Sequence, residues 1–293
     1  MEQNAKSALV LINPAAGLGT AEDYSSDIIS RLEEYGYRST VTFLNDQYGL
    51  MPDQEAPSYK DADIILCCGG DGSLNQVING CIDSGSGAAI GLIPFGSTNS
   101  FAGINGLYND FDPAMETAVN GKPFRFDAGV INDKAFILSA SFVSASSVNF
   151  VTSQQMKNPI DYSKHILRAI GELNMNMGHS FHMAIDTAEG QIVDDFLYGA
   201  VSNYSDEVSK TNDGIMELLL LKVPKNHKDA LDVLNVLRNG SLDHPAIITA
   251  KITGGSFSSD TELALSLDGE FSGFQKAFEL NVLKERLTFK TPE

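Results

Sequence analysis

Apolar positions in the first part of the chain form short continuous runs, separated by stretches with a helical period. The runs predict buried strands at 8–12, 64–68 and 88–93, and Val41 and Phe43 indicate a further strand. Ile28, Ile29 and Leu32 recur at helical spacing, and a second helix is predicted over 74–81. Strands that alternate with helices are typical of a parallel, doubly wound α/β sheet. We expect this N-terminal α/β domain to span 1–124.

The pattern changes near Phe124, where closely spaced strands replace the strand–helix alternation. Further strands are predicted at 127–131, 135–142, 181–185, 192–201, 216–223, 246–252, 263–267 and 278–282. Helices are predicted at 164–173 and 228–237. Closely spaced, mainly antiparallel strands predict a C-terminal β-sandwich domain over 125–283.

The composition narrows the partners and the compartment. A net charge of -18 repels DNA, RNA and anionic membrane surfaces at long range, so no nucleic-acid partner is expected. No apolar run reaches the roughly 18 residues that a spanning helix needs. The odd cysteine count, with Cys67, Cys68 and Cys81, favours reduced thiols over a disulfide framework. We therefore expect a cytoplasmic protein.

Three loops rich in small residues follow predicted strands, at 13–17, 69–72 and 94–99. Ligands bind beyond the carboxyl ends of the strands in a parallel sheet, so these loops are expected at one edge. The glycines of the middle loop let the main chain approach an anion closely, and the following helix offers its N-terminus. Asp71 stands among these glycines and would need a cation or a substrate hydroxyl beside a phosphate. Tight turns explain any one loop, whereas three in register favour a phosphate site.

Two widespread phosphate motifs do not fit. The P-loop pattern G-x-x-x-x-G-K-[ST] does not occur in the sequence. Gly17 and Gly19 begin a dinucleotide fingerprint, but Glu22 stands where the third glycine belongs. The three loops therefore belong to another type of phosphate site.

The motifs resemble, in order, those of the diacylglycerol kinase catalytic-domain family, the bacterial lipid kinases related to sphingosine kinases and NAD kinases. Residues 69–80 are similar to its GGDGT-x-N-E-V-x-N-G signature. Residues 13–17 resemble its N-P-x-S-G loop and residues 93–99 its P-x-G-T-x-N loop. Residues 212–214 resemble a D-G of its second domain, and residues 267–270 its closing D-G-E.

This resemblance implies an ATP site and a catalytic proton acceptor. The implied nucleotide-binding residues are Asn13, Pro14, Ala15, Ala16, Gly17, Gly69, Gly70, Asp71, Gly72, Ser73, Leu74, Asn75, Gly96, Ser97, Thr98 and Asn99. Asp268 or Glu270 is implied as the group that accepts the hydroxyl proton, with Asp71 positioning a metal or the acceptor. Taken by themselves, without the resemblance, Asp268 and Gly269 favour a plain hairpin turn.

The resemblance also implies a metal and a fold. A structural Mg²⁺ is expected at Asp213, with the carbonyls of Lys210 and Ile215 as fellow ligands. The implied fold is an α/β nucleotide domain followed by a β-sandwich that binds the acceptor or lipid, with the tail at about 284–293 returning to the first domain. The implied activity is transfer of the γ-phosphate of ATP to a hydroxyl of a diacylglycerol-like lipid.

Departures from the family pattern keep other functions open. Gln76 stands where the family has Glu, and Ser100 where it has Asp. A catalytically weak regulator that binds nucleotide or lipid is one alternative, and a kinase for a soluble hydroxyl substrate is another. Transient membrane contact and a homodimer are open as well.

Overall fold

The protein, seen in a computed structural model that describes residues 6–44, 58–147, 179–203 and 211–292, is mostly sheet with some helices. Its strands are β1 (Lys6–Ile12), β2 (Tyr37–Phe43), β3 (Ile64–Gly69), β4 (Ala89–Pro94), β5 (Lys122–Ile131), β6 (Lys134–Phe136), β7 (Ser139–Ser144), β8 (Phe181–Thr187), β9 (Gly190–Ser202), β10 (Met216–Lys222), β11 (Ile247–Ile252), β12 (Gly254–Leu267) and β13 (Glu270–Thr291). Its helices are α1 (Ser25–Glu34), α2 (Asp71–Ser84), α3 (Ser100–Ile104), α4 (Phe111–Asn120) and α5 (His227–Arg238). Within these described parts, no helix has both the length and the apolar character to cross a bilayer.

The chain divides into two compact units. The first contains Met1–Phe126 and Glu285–Glu293, and the second contains Asp127–Lys284. Both crossings occur within strands, since β5 and β13 each contribute to both units. The domain boundaries predicted from the sequence, at 124 and 284, lie close to these positions. The function of each domain stays a prediction.

The first unit is a parallel sheet with the strand order β2-β1-β3-β4, extended by the last residues of β13 beside β4. Its apolar core includes Ile12, Ile28, Leu66 and Met115, contributed by β1, α1, β3 and α4. β3 is buried along its whole length, which explains its continuous apolar sequence. The predicted parallel α/β arrangement is therefore present in this unit.

The second unit is built from antiparallel pairs. β9 pairs with β7, β7 with β12, β12 with β8 and β8 again with β9, so these four strands close on themselves. Phe142, Phe196 and Phe257 lie fully inside the apolar core of this unit. The mainly antiparallel architecture agrees with the sequence prediction, although the strands close into a ring rather than forming two separate sheets.

Two elements differ from the sequence prediction, and one lies outside the described residues. The predicted strand at 135–142 is interrupted, because residues between β6 and β7 donate their amides to a side chain instead of a neighbouring strand. α3 has only five residues, too few to show a helical period in the sequence. The helix predicted at 164–173 falls outside the described ranges.

Candidate functional site

The three predicted loops leave the carboxyl ends of adjacent parallel strands in the first unit. β1, β3 and β4 end at Ile12, Gly69 and Pro94. The amide of Asn13 donates to the carbonyl of Cys68 at 2.9 Å, and the amide of Phe95 donates to the carbonyl of Gly69 at 2.9 Å. These bonds extend the strand pairing into the loops and hold their first residues in register.

Asn13 joins the first loop to the second. Its side chain is 3% exposed, and its Nδ2 donates to the hydroxyl of Ser73 at 2.9 Å. Its Oδ1 accepts the amide of Ala15 at 2.9 Å, which fixes the turn that follows β1. Both polar ends are thus used inside the protein, so Asn13 positions the loops rather than presenting its amide to a ligand.

Glycine is required where the loops meet. A Cβ on Gly96 would lie 2.5 Å from the Cα of Gly70, and one on Gly17 would lie 2.0 Å from the carbonyl oxygen of Phe95. Gly17 also has φ +57, a conformation that side chains with a Cβ rarely adopt. Main chain therefore packs directly on main chain at 17, 70 and 96, which leaves peptide groups as the inner surface of the loops.

The N-terminus of α2 lies in this group of loops. Gly70 is its N-cap residue and has no side chain with which to cap the first amides. Gly70, Asp71 and Gly72 are each partly exposed. An uncapped helix N-terminus of this length attracts anions through its amides and its dipole. The arrangement suits a phosphate without any Lys or Arg.

Asp71 bonds to a second helix. Its two carboxylate oxygens accept the amides of Ser100 at 2.8 Å and of Phe101 at 3.0 Å, at the start of α3. The carboxylate therefore caps α3 and links the second loop to the third. This contact gives Asp71 a positioning role, and its predicted contact with a metal or acceptor stays a prediction.

Asn99 is the most unusual residue of the third loop. It has φ +50, and its Nδ2 donates to the carbonyl of Gly96 at 2.9 Å. Its Oδ1 is buried and has no hydrogen-bond partner among the described residues. An acceptor oxygen in this position suits the N–H or O–H of a ligand, or a water, rather than a phosphate oxygen.

The remaining predicted nucleotide residues divide by exposure. Ala15, Gly17, Ser97 and Thr98 are exposed and Pro14 is half-buried, so a ligand can reach them. Ala16 and Leu74 are buried at 7% and 2% exposure and pack inside the protein. The carbonyl of Asn75 accepts a hydrogen bond from the side-chain amide of Asn79 at 2.9 Å. Leu74 and Ala16 thus support the loops from behind.

The acidic motif of the second unit forms a hairpin turn. Leu267 pairs with Glu270 across β12 and β13, and Asp268 and Gly269 have φ +49 and +86. Two central residues with positive φ are the signature of a type I′ turn, which Asp-Gly favours. The hairpin that the sequence allows is therefore present, and the turn presents Glu270 as an exposed side chain.

Asp268 is buried and holds the segment between β6 and β7. Its exposure is 6%, and its carboxylate accepts the amides of Ile137, Leu138 and Ser139 at 3.0, 2.8 and 3.1 Å. Asn203 binds a carbonyl of the same segment, because its side-chain amide donates to the carbonyl of Ile137 at 3.2 Å. Sequence spacing could not reveal this role, since the partners are about 130 residues apart.

The predicted metal site is only partly described. Lys210 lies outside the described residues, and Asp213 accepts the amide of Ile215 at 2.9 Å. The fully buried Asp127 accepts the amide of Gly214 at 2.6 Å, a contact that the sequence did not predict. Over the described ranges, no group of three or more His, Cys, Asp or Glu residues could hold a metal ion. The predicted ligand set of one carboxylate and two main-chain carbonyls is of a different kind, so the ion at Asp213 stays a prediction and no reaction step is assigned to it.

The three buried cysteines, two in β3 and one in α2, are not suited to act as nucleophiles. Burial raises the pKa of the Cys81 thiol to about 12, although Arg286 opposes the shift. Burial also raises the pKa values of Cys67 and Cys68. All three thiols stay protonated near neutral pH, which leaves the loops and the acidic turn as the candidates for chemistry.

Known proteins match this chain over nearly its full length. Residues 7–131 match the model of the diacylglycerol kinase catalytic domain. A diacylglycerol kinase of Staphylococcus haemolyticus is 25% identical, with 98% of this chain and 89% of the relative covered. One of Staphylococcus aureus is also 25% identical, covering 94% and 90%.

Solved structures share the fold. A crystal structure of a diacylglycerol kinase from Bacillus anthracis superposes with a TM-score of 0.67 at 15% identity, covering 98% of this chain and 97% of the other. A candidate diacylglycerol kinase from the same organism gives a TM-score of 0.72 at 16% identity, with the same coverage.

The first unit is an α/β unit with loops of the phosphate-binding type, and the chain is related to these enzymes along its length. Together these features define a kinase of the lipid kinase class, a phosphotransferase with an alcohol acceptor. Within that class, residues 7–131 are similar to the diacylglycerol kinase catalytic domain, and the curated relatives that match along the chain are 25% identical to it. The resemblance carried by the sequence motifs is thereby confirmed.

Proposed function

We propose that the protein transfers the γ-phosphate of ATP to the hydroxyl of a diacylglycerol-like lipid. The first unit binds the nucleotide, and the second unit supplies the residues that act on the acceptor. The relatives called diacylglycerol kinases support this acceptor class.

One observation carries the nucleotide assignment. The loops after β1, β3 and β4 contact one another through main chain at Gly17, Gly70 and Gly96. A surface of peptide groups beside the uncapped N-terminus of α2 binds phosphates through amides, with no need for a cationic side chain. This mode of binding suits a chain with a net charge of -18. Ser97 and Thr98 add exposed hydroxyls at the third loop.

Glu270 is the better proton acceptor of the two acidic candidates. Its side chain is exposed, whereas three amides surround the buried carboxylate of Asp268. In the proposed step, the lipid oxygen attacks the γ-phosphorus, Glu270 takes the hydroxyl proton, and ADP leaves. Asp268 is a positioning residue, because it fixes the main chain beside this turn.

Mg²⁺ is assigned to the nucleotide. Phosphoryl transfer uses the ion to neutralise charge on the phosphates, and we propose that it arrives as the complex with ATP. The predicted structural ion at Asp213 stays a separate prediction.

Titration calorimetry with ATP, with and without magnesium, tests the nucleotide site. Incubation with radiolabelled ATP and a panel of diacylglycerols, other lipids and soluble alcohols then tests the transfer. We expect nucleotide binding and label on a diacylglycerol. An absence of heat with every adenine nucleotide contradicts the nucleotide site, and label on a soluble alcohol alone contradicts the lipid acceptor.

A second candidate function follows from the carboxylates. Asp71 and Asp268 both serve main-chain amides, and Gln76 and Ser100 replace acidic residues of the family pattern. These features favour a regulator that binds nucleotide or lipid with little turnover. Nucleotide binding without label on any acceptor in the same panel would support the regulator over the kinase.

A further inference from the structure

Two large aromatic side chains are exposed next to the acidic turn. Phe271 and Phe274 in β13 are 52% and 47% exposed. Their ring centroids are 5.1 Å apart at an interplanar angle of 66°, so the rings contact each other edge to face. By contrast, Phe142, Phe196 and Phe257 lie buried in the core of this unit.

The backbone places both rings on the same face of the sheet. Residues three apart on a regular strand point to opposite faces. Here Phe271 pairs with Ser266 and Phe274 with Ala264, and these two partners are two residues apart on β12. The extra residue makes a β-bulge, and Gly273 permits it with φ +112. The rings therefore form one small aromatic patch.

Lysines accompany the patch on this otherwise acidic protein. The ammonium group of Lys134 donates to the carbonyl of Ser272 at 3.3 Å, and Ser272 lies between Phe271 and Phe274 in the sequence. Lys276 is exposed two residues beyond Phe274. The exposed carboxylates Asp133 and Glu270 balance these charges, so the patch is locally close to neutral.

We propose that Phe271 and Phe274 dock the protein onto the surface of a lipid bilayer that contains its diacylglycerol-like acceptor. Aromatic rings beside lysine stems are suited to the boundary between headgroups and acyl chains, where the rings enter the bilayer and the ammonium groups remain at the headgroups. Glu270 directly precedes Phe271, so docking brings the bilayer surface to the proposed proton acceptor. This inference rests on the proposed function.

A second copy of the chain is a poorer occupant of this surface. Two half-exposed phenylalanine side chains offer about 200 Å², whereas a stable protein interface buries about 800 Å² on each partner. Insertion into a bilayer needs no complementary protein surface, so both rings can contribute their full apolar transfer free energy to membrane binding. The overall charge of -18 favours zwitterionic over anionic lipid as the target.

The chain lacks tryptophan, which allows a direct test. The variant Phe274→Trp places a sole tryptophan in the patch, and Leu231→Trp places one on α5 of the same unit, where Leu231 is 55% exposed. Phosphatidylcholine vesicles with diacylglycerol should blue-shift the emission of Phe274→Trp, and brominated lipids should quench it. The emission of Leu231→Trp should stay unchanged.

Vesicle flotation of the double variant Phe271→Ser/Phe274→Ser gives a second measurement. Its vesicle partition coefficient should fall roughly tenfold or more, because each ring contributes its apolar transfer free energy. Leu231→Ser should partition like the wild type. Circular dichroism shows whether each variant is folded.

Equal partition of the double variant and the wild type would overturn the proposal, as would equal emission shifts at positions 274 and 231. A wild type that does not float with vesicles would overturn it too. Light scattering that shows a wild-type dimer and a monomeric double variant would assign the patch to a second copy instead. None of these measurements uses ATP or turnover, so a failure of membrane docking can be distinguished from a failure of the proposed kinase activity.

Discussion

Asp71 and Asp268, the two buried or half-buried carboxylates of the motifs, each accept hydrogen bonds from consecutive main-chain amides. Asp71 binds the first amides of α3, and Asp268 binds three amides between β6 and β7. Charge-assisted bonds of this kind are stronger than neutral ones and hold the backbone in place. At the scale of single residues, the motif carboxylates therefore shape the loops, and exposed Glu270 is left as the proposed acceptor.

The variants Asp268→Asn and Glu270→Gln separate these roles. Asp268→Asn should lower the free energy of unfolding by about 2–4 kcal/mol, because one amide oxygen cannot replace a buried carboxylate that accepts three N–H groups. Glu270→Gln should change it by less than about 0.5 kcal/mol, as for other exposed positions, and should lower the rate of phosphate transfer. Urea denaturation and the radiolabel assay measure the two effects. Unchanged stability of Asp268→Asn would contradict the structural role of this carboxylate.

At the scale of elements, three strand ends set the candidate site. β1, β3 and β4 lie side by side in parallel, so the loops that follow them emerge at one edge. Asn13 then ties the first loop to α2 through Ser73, and Asp71 ties α2 to α3. The glycines are required because the loops approach one another through main chain.

The variant Gly96→Ala should lower ATP affinity about tenfold or more, because the methyl group must push Gly70 or Asn99 away from the phosphate-binding surface. Gly87→Ala is the matched control. It lies in the same unit, and an added Cβ there meets nothing within 4 Å. Calorimetry measures affinity, and thermal denaturation checks the fold. Wild-type affinity in a folded Gly96→Ala protein would contradict the assigned surface.

At the scale of the whole molecule, β13 contributes to both compact units. Its residues up to Lys284 belong to the second unit, and those from Glu285 onward belong to the first. Phe289 is fully buried in the first unit, with its ring centroid 4.6 Å from that of Phe101. Arg286 donates to the carbonyl of Ser86 at 3.0 Å. The C-terminal residues are therefore part of the core that supports the candidate nucleotide loops.

The variant Phe289→Ala should destabilise the first unit by about 3–5 kcal/mol, the usual cost of removing a buried phenylalanine ring. Hydrogen exchange followed by mass spectrometry should show faster exchange in β1, β3 and β4. Phe257→Ala, at a position that is 1% exposed in the second unit, should act on that unit instead. Equal acceleration in both units for either variant would show that they unfold together, against this expectation.

Several features follow from the sequence alone. Continuous apolar runs locate β1, β3 and β4, because strands buried on both faces need apolar residues throughout. Small-residue loops directly after these runs locate the candidate phosphate site, since parallel strands end at a common edge. The Asp268-Gly269 pair predicts the hairpin turn, because its conformation favours those residues.

Other features were decided only by the tertiary structure. The separate roles of Asp268 and Glu270 depend on burial and on amides about 130 residues away, which no local pattern encodes. The bulge at Gly273 reverses the alternation that would place Phe271 and Phe274 on opposite faces. Local patterns report the period and propensity of one segment, whereas bonding partners and exposed faces arise when distant segments pack together.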